Sequence, residues 1–153
     1  MKQFCLGIIV AIGLTLPAFG QGVDPLIGSW KLNLEKSTYV GLSAPKSQTL
    51  TWTGEGHNFI DTIEGVNTEG QPSKVILRHI YDGMPRPSTG TRAYDSSTYT
   101  RIGNTINWAR FRNGKVVTVG QGVFVPGKTY TATEEGIDRN NQPLHDHLMF
   151  ERQ

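Results

Sequence analysis

The sequence predicts an all-β protein, a single up-and-down antiparallel β-barrel of about 8–10 strands. Three observations carry that expectation. From Trp30 to Gln153 apolar residues alternate with period two, and turn-forming residues recur roughly every ten positions. The segment Gln21 to Gln153 holds 15 Gly and 15 Thr against only 4 Ala, which is poor helix composition and good strand-and-turn composition. That segment is 133 residues long, enough for one domain. A long open sheet would leave two free edges prone to pairing with other chains, and closure into a barrel removes them. A two-sheet sandwich is the alternative, but short sequential hairpins favour a meander over Greek-key crossings.

The strands follow in order. Ser29 to Asn33 opens the pattern, and the one candidate for helix is a single turn near Leu34 to Ser37. Lys46 to Thr53 carries Leu50 and Trp52 on one face, and Gly54-Glu55-Gly56 turns the chain into His57 to Glu64, with Phe59 and Ile63. Asn67 to Pro72 is a polar turn leading to Ser73 to Tyr81. Asp82-Gly83 and the Pro85 to Gly90 stretch read as the longest break in the second half. Arg92 to Ile102 and Thr105 to Arg112 flank Gly103-Asn104. Asn113-Gly114 is the strongest hairpin signal, because both residues tolerate the positive φ of a type I′ turn. Lys115 to Val125, Thr129 to Glu135 and Leu144 to Arg152 complete about nine strands.

Residues 1–20 read as a secretory signal peptide ahead of a barrel domain over 21–153. Lys2 supplies a positive start, Cys5 to Leu16 is a twelve-residue apolar run, and Ala18-Phe19-Gly20 places small residues at a cleavage site. Twelve residues fall short of the roughly twenty needed to span a bilayer. The expected location is periplasmic or secreted, without stable membrane insertion after cleavage. Cys5 is the only cysteine, so the mature chain has no thiol for a disulfide, a nucleophile or a thiolate metal site. The chain carries a formal charge of +2, or +1 once Lys2 is removed, and no basic patch, which argues against a nucleic-acid partner.

The sequence echoes itself at an offset of 71 residues. Thr62/Thr133, Glu64/Glu135, Gly65/Gly136, Gln71/Gln142, Pro72/Pro143 and Leu77/Leu148 are identical pairs. One reading is a barrel of two related meanders, and the other is a favourable hairpin used twice. Either way the echo fixes strand phase: if Leu148 and Phe150 face inward, so do Leu77, His79 and Tyr81.

Gly28-Ser29-Trp30, opening the first strand, resembles the Gly-x-Trp motif of the calycins, the lipocalins and fatty-acid-binding proteins. The run from Leu26 to Ser37, and Phe150-Glu151-Arg152 after Pro143, resemble the two ends of a family of small exported bacterial lipocalin-like proteins. The resemblance implies a lipocalin-like barrel with Gly28 and Trp30 as a structural end motif. It also implies a cation packed over the tryptophan, with Arg152 and Arg101 both eligible. Two calycin features have no counterpart here: a lipocalin-type disulfide pair and the helical lid of fatty-acid-binding proteins.

No catalytic set emerges. His145 and His147 share a face at a spacing that metal sites use, but Leu144, Leu148 and Phe150 occupy the opposite parity, so the histidines should face solvent and no metal is expected. No Gly-x-Ser-x-Gly elbow occurs, and adjacent Glu134 and Glu135 point to opposite faces. Trp108, Arg110 and Phe111-Arg112 read as a solvated hairpin face. No enzyme activity and no cofactor are expected.

The informative residues are polar ones whose parity sends them inward. These are Asp61 in Phe59-x-Asp61-x-Ile63, His79 and Tyr81 in Val75-x-Leu77-x-His79-x-Tyr81, and Tyr99 with Arg101. Burying such groups is costly unless they are paired or hold a ligand. They define a candidate ligand-binding set for a small hydrophobic or amphipathic molecule, with Arg101 as the anchor for an anionic head group. The competing reading is a filled structural or interaction barrel of the cell envelope, stabilised by an Asp61–Arg101 ion pair. Interior volume separates them: a ligand barrel should hold a continuous cavity of roughly 300 Å³ or more, while a filled one should interdigitate Trp52, Trp108, Phe59 and Tyr130.

Overall fold

The computed structural model describes residues 24–41, 44–55 and 58–153, and the signal peptide expected over 1–20 lies outside them. Ten strands form one closed antiparallel barrel: β1 (Gly28–Leu32), β2 (Ser47–Glu55), β3 (Asn58–Val66), β4 (Pro72–His79), β5 (Arg86–Thr89), β6 (Ser96–Ile102), β7 (Thr105–Arg112), β8 (Lys115–Val125), β9 (Thr129–Ile137) and β10 (Pro143–Arg152). From β2 onward each strand pairs with the next, and β1 closes the ring between β2 and β10. The all-β meander expected from the alternation is therefore the observed architecture. Asn113 and Gly114 have φ of 53° and 72°, the positive pair that a type I′ turn requires.

Two expectations need correction. The tenth strand, β5, falls in the Pro85 to Gly90 stretch read as a break. It pairs through only two residues on each side, Ile76↔Thr89 and Leu77↔Ser88, then Arg86↔Ser97 and Pro87↔Ser96. A proline is tolerated in so sparsely bonded a strand, and its missing N–H is what made the segment look like a loop. The helical turn expected near Leu34 to Ser37 is a single hydrogen-bonded turn, Ser37 N to Leu34 O at 3.4 Å, that does not continue into helix. There the Asn33 side chain accepts from Lys36 N (3.1 Å) and Ser37 Oγ donates to Asn33 O (2.7 Å), so side chains take the bonds a helix would use.

The 71-residue echo is two hairpins of identical register. Val66↔Pro72 and Phe59↔His79 in β3–β4 correspond to Ile137↔Pro143 and Tyr130↔Phe150 in β9–β10. Both turns are held alike: Asn67 Oδ1 accepts from Gln71 N at 2.8 Å and Asp138 Oδ1 from Gln142 N at 2.9 Å. The hairpins lie six strands apart in the ring, whereas a two-fold axis through ten strands relates positions five apart. The geometry thus matches one hairpin plan used twice.

Alternation sends Trp52, Phe59, Leu77, Tyr99, Phe124 and Phe150 into a single core. One end of the barrel is closed by Trp30, which is 0% exposed and donates from Nε1 to Leu26 O at 2.9 Å. The Arg152 guanidinium lies 5.0 Å above its ring, which settles the choice between Arg152 and Arg101. Gly28 explains the motif. A Cβ there would come within 2.5 Å of Arg152 Nη2, and its φ of +129° disfavours any side chain.

Candidate functional site

The five inward polar residues occupy the barrel as their parity requires. Asp61 on β3 pairs across the sheet with Trp52 and Leu77. His79 at the end of β4 is ringed by aromatics: it stacks on Tyr99 with centroids 4.1 Å apart, meets Trp52 edge-on at 5.0 Å, and touches Tyr81 at 5.3 Å and Phe59 at 6.2 Å. Tyr81, just beyond β4, lies 5.5 Å from the Arg101 guanidinium. His79, Tyr81, Tyr99 and Arg101 thus form one cluster, while Asp61 lies toward the other half.

Arg101 differs from its expected role. Its Nη1 and Nη2 contact the Asp24 carboxylate at 2.5 and 3.3 Å, and Nε donates to Gly103 O at 2.9 Å. The guanidinium also covers the Phe124 ring at 4.8 Å. Asp24 precedes β1, so this pair belts the Trp30-plugged end of the barrel, and the proposed Asp61–Arg101 pair is not formed.

The alternating rule also placed residues inside that were read as surface. Trp108 is buried and Arg110 points inward, where it pairs with buried Glu134 and covers the Tyr94 ring at 4.6 Å. Ile106-x-Trp108-x-Arg110 and Tyr130-x-Ala132-x-Glu134 carry the same parity signal as the five chosen residues. In β7 the alternation of basic and aromatic residues also describes a solvated hairpin face, which masks that signal. Asp146 is a further buried acid and accepts from Val40 N at 3.1 Å. His145 lies outside, with Nδ1 3.2 Å from Glu135 Oε1, and Leu144 is buried on the opposite face. Among the described residues no three metal-ligating side chains group together.

Burial dominates the protonation of the site. It pushes the Asp61 carboxyl up to about 8, against a partial counter-effect of Arg110. It pushes His79 down to about 3, and the charge of Arg86 adds to the fall. The Tyr81 and Tyr99 hydroxyls are likewise driven upward by burial. At neutral pH the cluster is therefore uncharged apart from its arginine pairs.

The interior void has a volume of about 50 Å³ and is lined in part by Trp52, Asp61, Trp108, Arg110 and Phe150. This falls short of the roughly 300 Å³ expected of a ligand barrel. Gly120 and Gly122 explain the filling. A side chain at Gly120 would meet the Trp108 indole and one at Gly122 would meet the Tyr130 ring, so both rings fold over glycine into the centre. Outside, an open groove of about 1230 Å³ runs along the β4–β5 seam and the β2–β3 end, and reaches Phe59 and His79. Trp52 lines the void and His79 the groove, so their edge contact separates the two.

Unpartnered polar atoms concentrate here. Trp52 Nε1, Asp61 Oδ1, both nitrogens of His79, Tyr81 Oη, Trp108 Nε1 and Arg110 Nε are buried without a hydrogen-bond partner among the described residues.

The fold is a closed ten-stranded antiparallel meander, plugged at one end by a Gly-x-Trp strand under an arginine. Among solved structures it is similar to the zebrafish ileal bile acid-binding protein, crystallised in complex with cholic acid. The TM-score is 0.54 at 10% identity, over 85% of this chain and 99% of that one. No family model and no curated protein matches the sequence.

Proposed function

We propose that this chain is an exported barrel that binds a small hydrophobic or amphipathic molecule, entering at the β4–β5 seam and presenting its polar group to the His79 cluster. The observation that carries this is the set of buried polar atoms without partners around Asp61 and His79. Each such atom costs about 1–3 kcal/mol, so seven together rival the 5–15 kcal/mol by which a whole domain is stable. The 50 Å³ void has room for only one or two waters, at roughly 30 Å³ each. The seam is the natural entry because β5 is bonded through two residues on each side and the groove opens there. That the zebrafish protein of like fold was crystallised with cholic acid is consistent with the reading.

The small void favours a second reading, a filled structural or interaction barrel of the cell envelope. Native mass spectrometry of protein purified from its own host separates the two. The binding reading expects a co-purifying molecule released on collisional activation. Polypeptide mass alone, in preparations from several growth conditions, favours the filled barrel.

A further inference from the structure

Resting on the binding reading above, we infer that the molecule taken by this barrel is uncharged. It is a ring-bearing compound with a hydroxyl, amide or similar neutral group, and not a carboxylate, sulfonate or phosphate amphiphile. The arrangement of the arginines carries the inference. Arg101 is committed to Asp24 through both terminal nitrogens and to Gly103 O through Nε. Arg110 is committed to Glu134 through Nη1, and its Nε is buried without a partner among the described residues. Arg86, beside the groove, grips Asp82 with two nitrogens at 2.7 and 2.8 Å. Arg152 donates to Pro25 O at 2.9 Å and covers Trp30. Arg78 also lines the groove, but it is exposed on the outer face of β4, opposite in parity to Leu77 and His79, so inside the barrel an anion would have to detach one of these cations from its own partner.

A cationic ligand fares no better, because Glu134 already has its arginine and Asp61 is held protonated by burial. The free groups instead match a neutral partner. A neutral imidazole offers one donor and one acceptor, and the Tyr81 hydroxyl offers both. Phe59 and His79, stacked with centroids 6.2 Å apart and 12° from parallel, both line the groove and present an aromatic wall to a ring.

Three probes of one scaffold test the inference by fluorescence titration: N-phenyl-1-naphthylamine (neutral), its sulfonate 8-anilino-1-naphthalenesulfonate, and cationic N-(1-naphthyl)ethylenediamine. The neutral probe should bind at least about tenfold more tightly than either charged one, since a charge entering this interior finds no free counter-charge. Equal or tighter binding of a charged probe overturns the inference and leaves the binding reading standing. Binding of none of the three overturns both. Asp24→Asn keeps an acceptor for Leu26 N, at 2.9 Å in the wild type, but frees Arg101 from its carboxylate. It should shift the ratio of the two affinities at least about tenfold toward the sulfonate. An unchanged ratio overturns the argument from paired arginines.

Discussion

Replacing Trp30 with alanine tests the closure of the barrel. The side chain is 0% exposed, its ring lies 6.3 Å from Tyr130, and its N–H is bonded to Leu26 O. Truncating a buried tryptophan costs about 3–5 kcal/mol through lost transfer energy and the cavity left behind. Leu26 O also loses its donor, worth about 1 kcal/mol. The Arg152 stack goes as well, worth about 0.5–1 kcal/mol because the guanidinium is exposed. The loss should therefore fall at the upper end of the range, about 4–5 kcal/mol. Urea unfolding followed by far-ultraviolet circular dichroism and by the fluorescence of Trp52 and Trp108 measures it. With a slope of about 2 kcal/mol per molar urea, the midpoint should move by about 2 M. Gly28→Ala should cost less, about 1–3 kcal/mol, by pushing Arg152 off the ring and straining a positive φ. A loss below about 1 kcal/mol for Trp30→Ala would mean that Trp30 does not close the barrel and that the Gly-x-Trp reading is wrong.

Other consequences are as direct. Arg110→Met strands the Glu134 carboxylate, 7% exposed, and should cost about 3–5 kcal/mol. Adding Glu134→Leu should recover most of that, and additive losses in the double-mutant cycle would show that the two charges are not coupled. Gly122→Val drives a side chain into the Tyr130 ring and should cost about 1–3 kcal/mol in a urea melt, with a neutral result refuting the glycine-for-ring packing. Protein recovered from an extracytoplasmic fraction should begin at Gln21 or within a few residues of it by N-terminal sequencing. Met1 at the start of the extracytoplasmic form would refute cleavage.

Much of this architecture was legible because strand parity is a local rule with a global consequence. Two-residue alternation placed Asp61, His79, Tyr81, Tyr99 and Arg101 inward, and the hairpin echo fixed the phase of His79 and Tyr81. The rule applied equally to Trp108 and Arg110, which were missed because alternating basic and aromatic residues also describe a wet hairpin face, and to Glu134, which was read only as one of two adjacent carboxylates on opposite faces. β5 was illegible for a different reason: four residues including a proline carry no periodic signal, and only the gap in the ring requires them. Long-range partners were the least legible. Asp24 reaches Arg101 across 77 positions from outside the strand pattern, and nothing local to either residue announces it. Interior volume was equally hidden, because it depends on rings folding over Gly120 and Gly122, and composition counts those glycines as turn formers.

The buried Asp61 and His79 also set how stability depends on pH. The Asp61 carboxyl is raised by burial from 3.8 to about 8, so the folded state keeps a proton that the unfolded chain releases above pH 4. Its contribution is complete below that value and is lost as pH rises toward 8. His79 is lowered by burial from 6.5 to about 3, so its contribution is complete above pH 6.5 and is lost as pH falls toward 3. Between roughly pH 4 and 6.5 the two slopes oppose each other and cancel. Above that window Asp61 acts alone, and below it His79 does, each with a slope of at most about 1.4 kcal/mol per pH unit. Urea melts from pH 3 to 8 should therefore show a broad optimum near pH 5 with a fall on each side. Asp61→Asn should remove the alkaline fall and leave the acid one, and His79→Phe should do the reverse. An alkaline fall of the same slope in Asp61→Asn would show that the carboxyl is already ionised in the folded barrel. The Trp52–Asp61 half of the interior would then have to hold a charge, and Arg110 would be shared between two carboxylates rather than committed to Glu134.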